Sequence, residues 1–471
     1  MDRTALERLF ASRWGLLVIY LVFLGLYLGA SGPRVRRHSP YNHFVYQADA
    51  WLHGRLGLKG DPPNENDWAR VEVLTLVDGR VVRGKFGSTG PSDRFYLTTG
   101  GNETITPEEI RERKAQRYVS FPPFPAVLFL PFVAIWKLAF NDVLFNVLWG
   151  AANPVLFFLL LRDLVRRGHS KRSLRDDLLL TAMLGAGSVY LTAAVLGQVW
   201  YTAHVVAVTL CIGYVWATLD MRKPVLAGLF LGLGFATRTP FGFTVAFFVW
   251  EAVRVSGGWR ALWQALWKER RIPQGLLPVL IKAALPAAAV LSLVFLFNHA
   301  RFDRIGQFGH EYLAIGWKER AERWGLLNYH FLSRNLACAL VMLPKVLSTY
   351  PYVQYSRHGL SIFATSPNLA WLFGRREPNA LEPGLWVAVL SAAVPTMLYY
   401  LSGYQQFGYR FSNDYIVYLL LILALGGQRF GWLFRIALVL AIGVNLFGAI
   451  TYERYPNFSY EDACIFPHGC N

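Results

Sequence analysis

Apolar runs of roughly bilayer-crossing length recur from Trp14 to Thr451, separated by short basic loops. This pattern limits the fold more than any other feature. A spanning helix needs about 20 apolar residues, enough for a hydrocarbon core ~30 Å thick. The runs read as spans at 14–31, 141–162, 177–196, 199–219, 224–237, 239–254, 276–298, 385–403, 414–427 and 430–451, with a weaker one at 358–374. Only 16% of the 471 residues are charged, against ~25% in an average soluble domain. The expected fold is all-α and polytopic, with about 11 transmembrane helices. The first run follows Arg3, Arg8 and Arg13 and lacks a small-residue cleavage site, so it reads as an uncleaved first helix.

The net charge of +17 sits mostly in short loops, as the positive-inside rule requires. No basic soluble domain carries it, which argues against nucleic-acid binding. The loop after the second clear run holds Arg162, Arg166, Arg167, Lys171, Arg172 and Arg175. It is expected on the cytoplasmic side, as is the basic N-terminus. An even number of crossings must separate the two, and 14–31 and 141–162 already supply it. The stretch RYVSFPPFPAVLFLPFVAIWKLAF (117–140) should therefore not cross. Pro122, Pro123, Pro125 and Pro131 agree, since each removes a backbone donor. A broken helix lodged at the outer face is expected there. Residues 32–140 then form a first outer loop within a membrane module, 1–298. A second outer segment follows at 299–357, with an embedded helix near 329–347. C-terminal helices occupy 358–451, and an outer tail 452–471. Counting 358–374 as a span puts Arg375, Arg376 and Arg429 inside. Cys464 and Cys470 in the tail read as a disulfide pair formed in an oxidising compartment. Cys211 and Cys338 lie in apolar surroundings and read as inert.

The first outer loop carries local signals. ADAWLHGRL reads as an amphipathic helix. VEVLTLVDGRVVRGKF alternates around Asp78-Gly79, and RFYLTTGGNETIT turns at Gly100-Gly101, so a small β-containing insert is expected. GRVVRGKF fails as a phosphate-binding loop, because Phe86 follows Lys85 and the context is a hairpin. No internal repeat is visible, which argues against inverted-repeat transporter folds. Polar groups gather at the outer ends of the helices in four places. These are Asn42, His43, Asp49 and His53; Gln198, Tyr201 and His204; Arg238; and Tyr409, Arg410 and Asp414. Singly, each fits a snorkelling or packed interface residue. Together they make a cationic, hydrogen-bonding rim suited to an anionic, lipid-borne group.

The order of these parts (first helix, outer loop with an acidic helix, Pro-Pro segment, basic inner loop, Thr237-Arg238 turn, Tyr409-Arg410 turn) resembles the GT-C superfamily of integral-membrane glycosyltransferases, near its protein mannosyltransferase and aminoarabinose transferase branch. The resemblance covers mainly 1–260 and 385–430. It implies a sugar moved from a polyprenyl-phosphate donor to a lipid, glycan or protein acceptor on the non-cytoplasmic face. The loop charges and the parity of crossings put the N-terminus in the cytoplasm and the C-terminus outside, and the expected location is a bacterial inner membrane. The resemblance makes Arg117, Arg238, Tyr409 and Arg410 donor-phosphate contacts; the rim residues Asn42, His53, Tyr201 and His204 are then read as acceptor or sugar contacts. The family places an acidic residue ahead of its loop tyrosine, where this chain has Asn42-His43 before Tyr46. The base role then falls to Asp49, one helical turn on, or to His43. A divalent metal stays open, since no ligand spacing marks a site. A lipid-linked glycan polymerase, ligase or flippase would share the same rim, and a secondary transporter is a third reading.

Overall fold

The structure, a computed structural model, describes residues 12–87, 93–273, 275–313, 318–374 and 377–461. Cys464, Cys470, Arg375 and Arg376 lie outside the described residues. The chain is mostly helical. Its helices are α1 (Arg13–Ser31), α2 (His43–Leu52), α3 (Phe124–Trp136), α4 (Asp142–Arg166), α5 (Leu174–Gly185), α6 (Tyr190–Leu196), α7 (Val199–Thr218), α8 (Pro224–Phe235), α9 (Val245–Val255), α10 (Gly258–Trp263), α11 (Leu276–Phe302), α12 (Lys318–Trp324), α13 (Leu332–Leu336), α14 (Ile362–Thr365), α15 (Glu382–Met397), α16 (Ile416–Leu425) and α17 (Trp432–Thr451). Strands β1 (Trp68–Leu76), β2 (Val81–Phe86), β3 (Arg94–Leu97), β4 (Asn102–Thr104) and β5 (Ile110–Val119) form one sheet, in the order β4-β3-β2-β1-β5. A smaller sheet holds β6 (Lys345–Val346), β7 (Val353–Ser356) and β8 (Ser459–Tyr460).

This is an integral membrane protein with several apolar helices. Among the described residues, five are long and apolar enough to cross a membrane: α1, α4, α7, α11 and α17. The bent pair α5–α6 makes a sixth if it is one span, with a 53° break. Gly185, Gly187 and Ser188 sit at that break, and the Ser188 hydroxyl donates to the Leu184 carbonyl, the usual cause of a sharp kink. Length and composition thus give fewer spans than the eleven expected. The runs at 224–237, 239–254, 385–403 and 414–427 fold as helices of 12, 11, 16 and 10 residues. The weak run 358–374 is a four-residue helix followed by a 3-10 segment, Pro367–Phe373. Pro367 interrupts it, because proline cannot donate the backbone bond a continuing helix needs. All ten residues of α16 are buried, as expected of a helix that is apolar on every side. It is part of the main core, together with Tyr190, Tyr214 and Leu191.

The stretch 117–140 splits into four parts. Arg117–Val119 end β5, residues 120–123 link, α3 has 13 residues, and Lys137–Ala139 form a 3-10 segment. At 1.5 Å per residue α3 is about 20 Å long, short of a ~30 Å core. It does not run through the bundle. Phe129 and Val133 pack with Phe44 and Ala48 of α2, Phe145 at the start of α4, and Val199 and Ala203 at the start of α7. The Phe124 amide is fixed by the Ala236 carbonyl just beyond α8. One end of the bundle therefore gathers α2, α3 and the beginnings of α4 and α7.

The five-stranded sheet stands beside that end. Its first hairpin turns at Gly79 and its second at Gly100 and Gly101, all with positive φ. Strand β5 runs antiparallel to the whole of β1, with Arg70 opposite Arg117. The sheet is pinned to the segment that follows α11. Arg83 of β2 grips Asp303 at 2.9 Å, Thr98 donates to the same carboxylate, and Ala69 bridges to Leu313.

Candidate functional site

A cavity of about 820 Å³ opens at this end of the bundle, within the usual range for a ligand site. Ser120, Phe121 and Pro122 of the Pro-Pro turn wall it, so the segment ahead of α3 supplies one side. Other walls come from Trp200 of α7, the Thr237–Pro240 turn, residues 306–308, 310 and 311 of the segment after α11, Tyr399 and Arg410.

Four carboxylates line this cavity, Glu65, Asp67, Glu311 and Glu453. Glu65 is paired with Arg117 and Glu311 with Arg304, and Asp67 stands at the residue before β1. Its backbone has φ +59°, which aspartate tolerates better than most residues. Neighbours hold that loop from several directions. His43 donates from Nε2 to the Asn66 carbonyl at 2.9 Å, and its ring stacks on Trp68 at 3.9 Å. The Ser120 hydroxyl donates to the Asp67 carbonyl. The Trp200 indole N–H donates to Asp67 Oδ2 at 2.7 Å. Burial pushes the Asp67 carboxyl above its usual range, against the opposing pull of the Trp200 bond and the Arg410 charge. Burial likewise pushes the His43 imidazole down to about 4, so it is neutral near pH 7.

Two arginines line the cavity, and they differ in their partners. Arg238 makes a two-pronged pair with Asp414, at 2.9 Å from Nε and 2.5 Å from Nη2. His204 Nδ1 lies 3.3 Å from the same carboxylate. Asp414 is thus the buried counter-ion that orients Arg238, leaving Nη1 without a hydrogen bond among the described residues. Arg410 has no carboxylate within ion-pair distance among the described residues. Its Nη1 donates to the Gln405 carbonyl at 2.9 Å, and its plane lies near Trp200, Tyr201 and Phe411, 5.5–5.8 Å from their centroids. A nearly buried cation, 8% exposed, with no carboxylate in ion-pair contact among the described residues is a group suited to take a mobile anion.

No family model matches the sequence, and no curated protein matches it. The fold is similar to that of an archaeal oligosaccharyltransferase. The similarity to the Archaeoglobus fulgidus enzyme in its apo form has a TM-score of 0.42, with 13% identity, over 94% of this chain and 56% of that one. The structure of that enzyme with an inhibitory peptide and a dolichol-phosphate gives a TM-score of 0.43, again at 13% identity, 94% and 56%. A form tethered to an acceptor peptide gives 0.41, at 13% identity, 94% and 55%. The chain spans about half the length of the solved chains it matches, and the likeness is one of helix arrangement alone.

The residues expected from sequence divide sharply. Arg238 and Arg410 line the cavity. Tyr201 and His204 are buried behind it, Tyr201 beside Arg410 and His204 against Asp414. His43 is behind it as well, bracing Asn66. The others do not line it. Asp49 faces the far side of α2, held by Arg55 at 3.3 Å and His53 at 3.5 Å. His53 caps the end of α2 and is exposed. Asn42 is buried against His38. Arg117 is already neutralised by Asp61 and by Glu65 at 3.0 Å. Tyr409 is fully buried, its hydroxyl directed at the Met397 sulfur. The carboxylate candidate therefore moves from Asp49 to Asp67. Among the described residues no three His, Cys, Asp or Glu side chains come together as metal ligands. The one signal for Asp67 in the sequence is the turn-rich GDPPNENDW ahead of a strand. Its Trp200 partner, 133 residues on, gives none.

Proposed function

We propose that this protein is a GT-C-type membrane glycosyltransferase. It moves a glycosyl group from a polyprenyl-phosphate donor to an acceptor hydroxyl on the non-cytoplasmic face. The observation that carries the reading is the meeting, around one cavity, of the Asp67 carboxylate with an arginine, Arg410, that lacks a carboxylate partner among the described residues. The acceptor O–H gives its proton to Asp67 as the oxygen attacks the anomeric carbon. The bond from that carbon to the phosphate oxygen breaks, and its electron pair leaves on the phosphate. Arg410 and Nη1 of Arg238 meet the charge that develops there. The Trp200 bond occupies one Asp67 oxygen and fixes the orientation of the other. A carboxyl raised by burial is a stronger base than a free one. Phe121, Pro122 and Phe235 give the same cavity an apolar wall suited to a prenyl chain.

The test is transfer of labelled sugar from a polyprenyl-phosphate sugar by the purified protein in liposomes. Label should reach a lipid, glycan or peptide acceptor, and an Arg410→Gln protein should transfer far less. Failure of the wild-type protein with every such acceptor class would sink the reading.

A further inference from the structure

We infer that His310 is a further ligand of the donor phosphate, and that binding the anion draws a proton onto its ring. The inference rests on the reading above for the identity of the anion. His310 belongs to the second outer segment, which the outer-end motifs did not include. It opens a 3-10 turn, His310–Tyr312, preceded by Gly309 at φ +92°. Three contacts hold the turn in place. The Gly309 amide donates to Gln307 Oε1, Tyr312 stacks on Phe302 at 5.5 Å, and Leu313 bridges to Ala69 of β1. That bridge ties the turn to the strand beginning just after Asp67. The His310 ring lines the cavity and stands edge-on to Tyr399, with 6.3 Å between centroids. Neither ring nitrogen has a hydrogen bond among the described residues. So rigid a mount for an unused imidazole facing a cavity points to a ligand.

The charged groups around it define that ligand. Arg238 and Arg301 face His310 from the turn after α8 and from α11, and both add to burial in pushing the imidazole down to about 4. Tyr399 faces it as a neutral phenol, and Glu311, its acidic chain neighbour, is paired with Arg304 and also lines the cavity. Asp67, Glu65 and Glu453 share the cavity, Glu65 paired with Arg117 and Glu453 accepting from Gln198. An anion lodged between Arg238 and His310 cancels the repulsion that keeps the ring neutral. The imidazole then takes one proton from solvent and donates an N–H to a phosphate oxygen. No covalent bond changes in this step.

The test is isothermal titration of the full protein with a short-chain prenyl phosphodiester, whose phosphate does not titrate near neutrality. Runs at about pH 6 in two buffers of different ionisation enthalpy give the protons taken up. The wild-type protein should take up most of one proton, and its affinity should rise by up to ~10-fold for each pH unit lowered. His310→Gln should take up none and lose the pH slope, whereas Asp67→Asn should keep both. His310→Asn is the second variant, read the same way, should the glutamine protein fail to fold. Wild-type binding without proton uptake, or uptake that survives in the histidine variants, overturns the inference and leaves the glycosyltransferase reading standing. No binding of the phosphodiester at all overturns both.

Discussion

The contrast between the two cavity arginines leads to the sharpest prediction. Arg238 is matched, because Asp414 takes its Nε and Nη2. Arg410 is unmatched, with a backbone carbonyl and aromatic rings around its guanidinium. Replacing each by glutamine should therefore do different things. Arg238→Gln strands the Asp414 carboxylate, 2% exposed, with only His204 beside it. Breaking a buried pair from one side costs about 3–5 kcal/mol, so the protein should lose thermal stability in detergent. Arg410→Gln breaks no ion pair and removes a buried charge, so stability should hold or rise. Its cost should fall on the ligand. A hydrogen bond to a charged group contributes about 1.5–3 kcal/mol, which is ~10- to 100-fold in affinity. Arg410→Lys keeps the charge but loses the planar fork and the stacking, and should fall between. The assay is binding of a short prenyl phosphate by titration, beside thermal unfolding of the same samples. Undiminished binding in Arg410→Gln, or a stability loss confined to that variant, would contradict these roles.

Two further outcomes follow from the same geometry. Asp414→Asn should destabilise the fold by about 3–5 kcal/mol, since it leaves Arg238 without its counter-ion, and Arg238→Met in that background should restore part of the loss; thermal unfolding reads both. His43 is buried as a neutral ring whose folded pKa, about 4, lies below the free value of 6.5. Its contribution is fully present above about pH 6.5 and is lost as pH falls toward 4, to a total of about 3 kcal/mol. His43→Phe, which retains the stack on Trp68, should flatten the acid limb of a stability profile, and an unchanged limb would contradict the assignment.

Much of the fold was legible because hydrophobic periodicity is local. The long helices, the α2 helix and both hairpins sit where apolar runs and the Asp78-Gly79 and Gly100-Gly101 turns put them. Strand β5 was missed because IRERKAQRYV has no apolar alternation; its charged side chains face outward while its backbone pairs with β1. The run at 358–374 was overcounted because mean apolarity does not register Pro367. The site was half legible. Arg238 and Arg410 stood out as cations at helix ends, and both line the cavity. Asp49 is a candidate by its place on α2, but helix phase turns it toward Arg55. Asp67 and His310 depend on contacts between distant segments, Trp200 with one and β1 with the turn bearing the other. No local pattern encodes those contacts. Arg117 illustrates the converse, a suitable residue type whose charge is spent on Asp61 and Glu65.

The central claim is that Asp67, on its positive-φ loop against Trp200, takes the acceptor proton. The most direct measurement compares sugar transfer from a polyprenyl-phosphate donor by Asp67→Asn and Asp49→Asn proteins in liposomes. The asparagine at position 67 should lower kcat by about 10²- to 10⁴-fold, the usual contribution of a general base. It should leave the fold as stable as before or more so, because ionising a carboxyl whose pKa is raised by burial costs folding free energy at neutral pH. Asp49→Asn should transfer at close to the wild-type rate. Full activity in Asp67→Asn, or the large loss appearing in Asp49→Asn instead, would contradict the account.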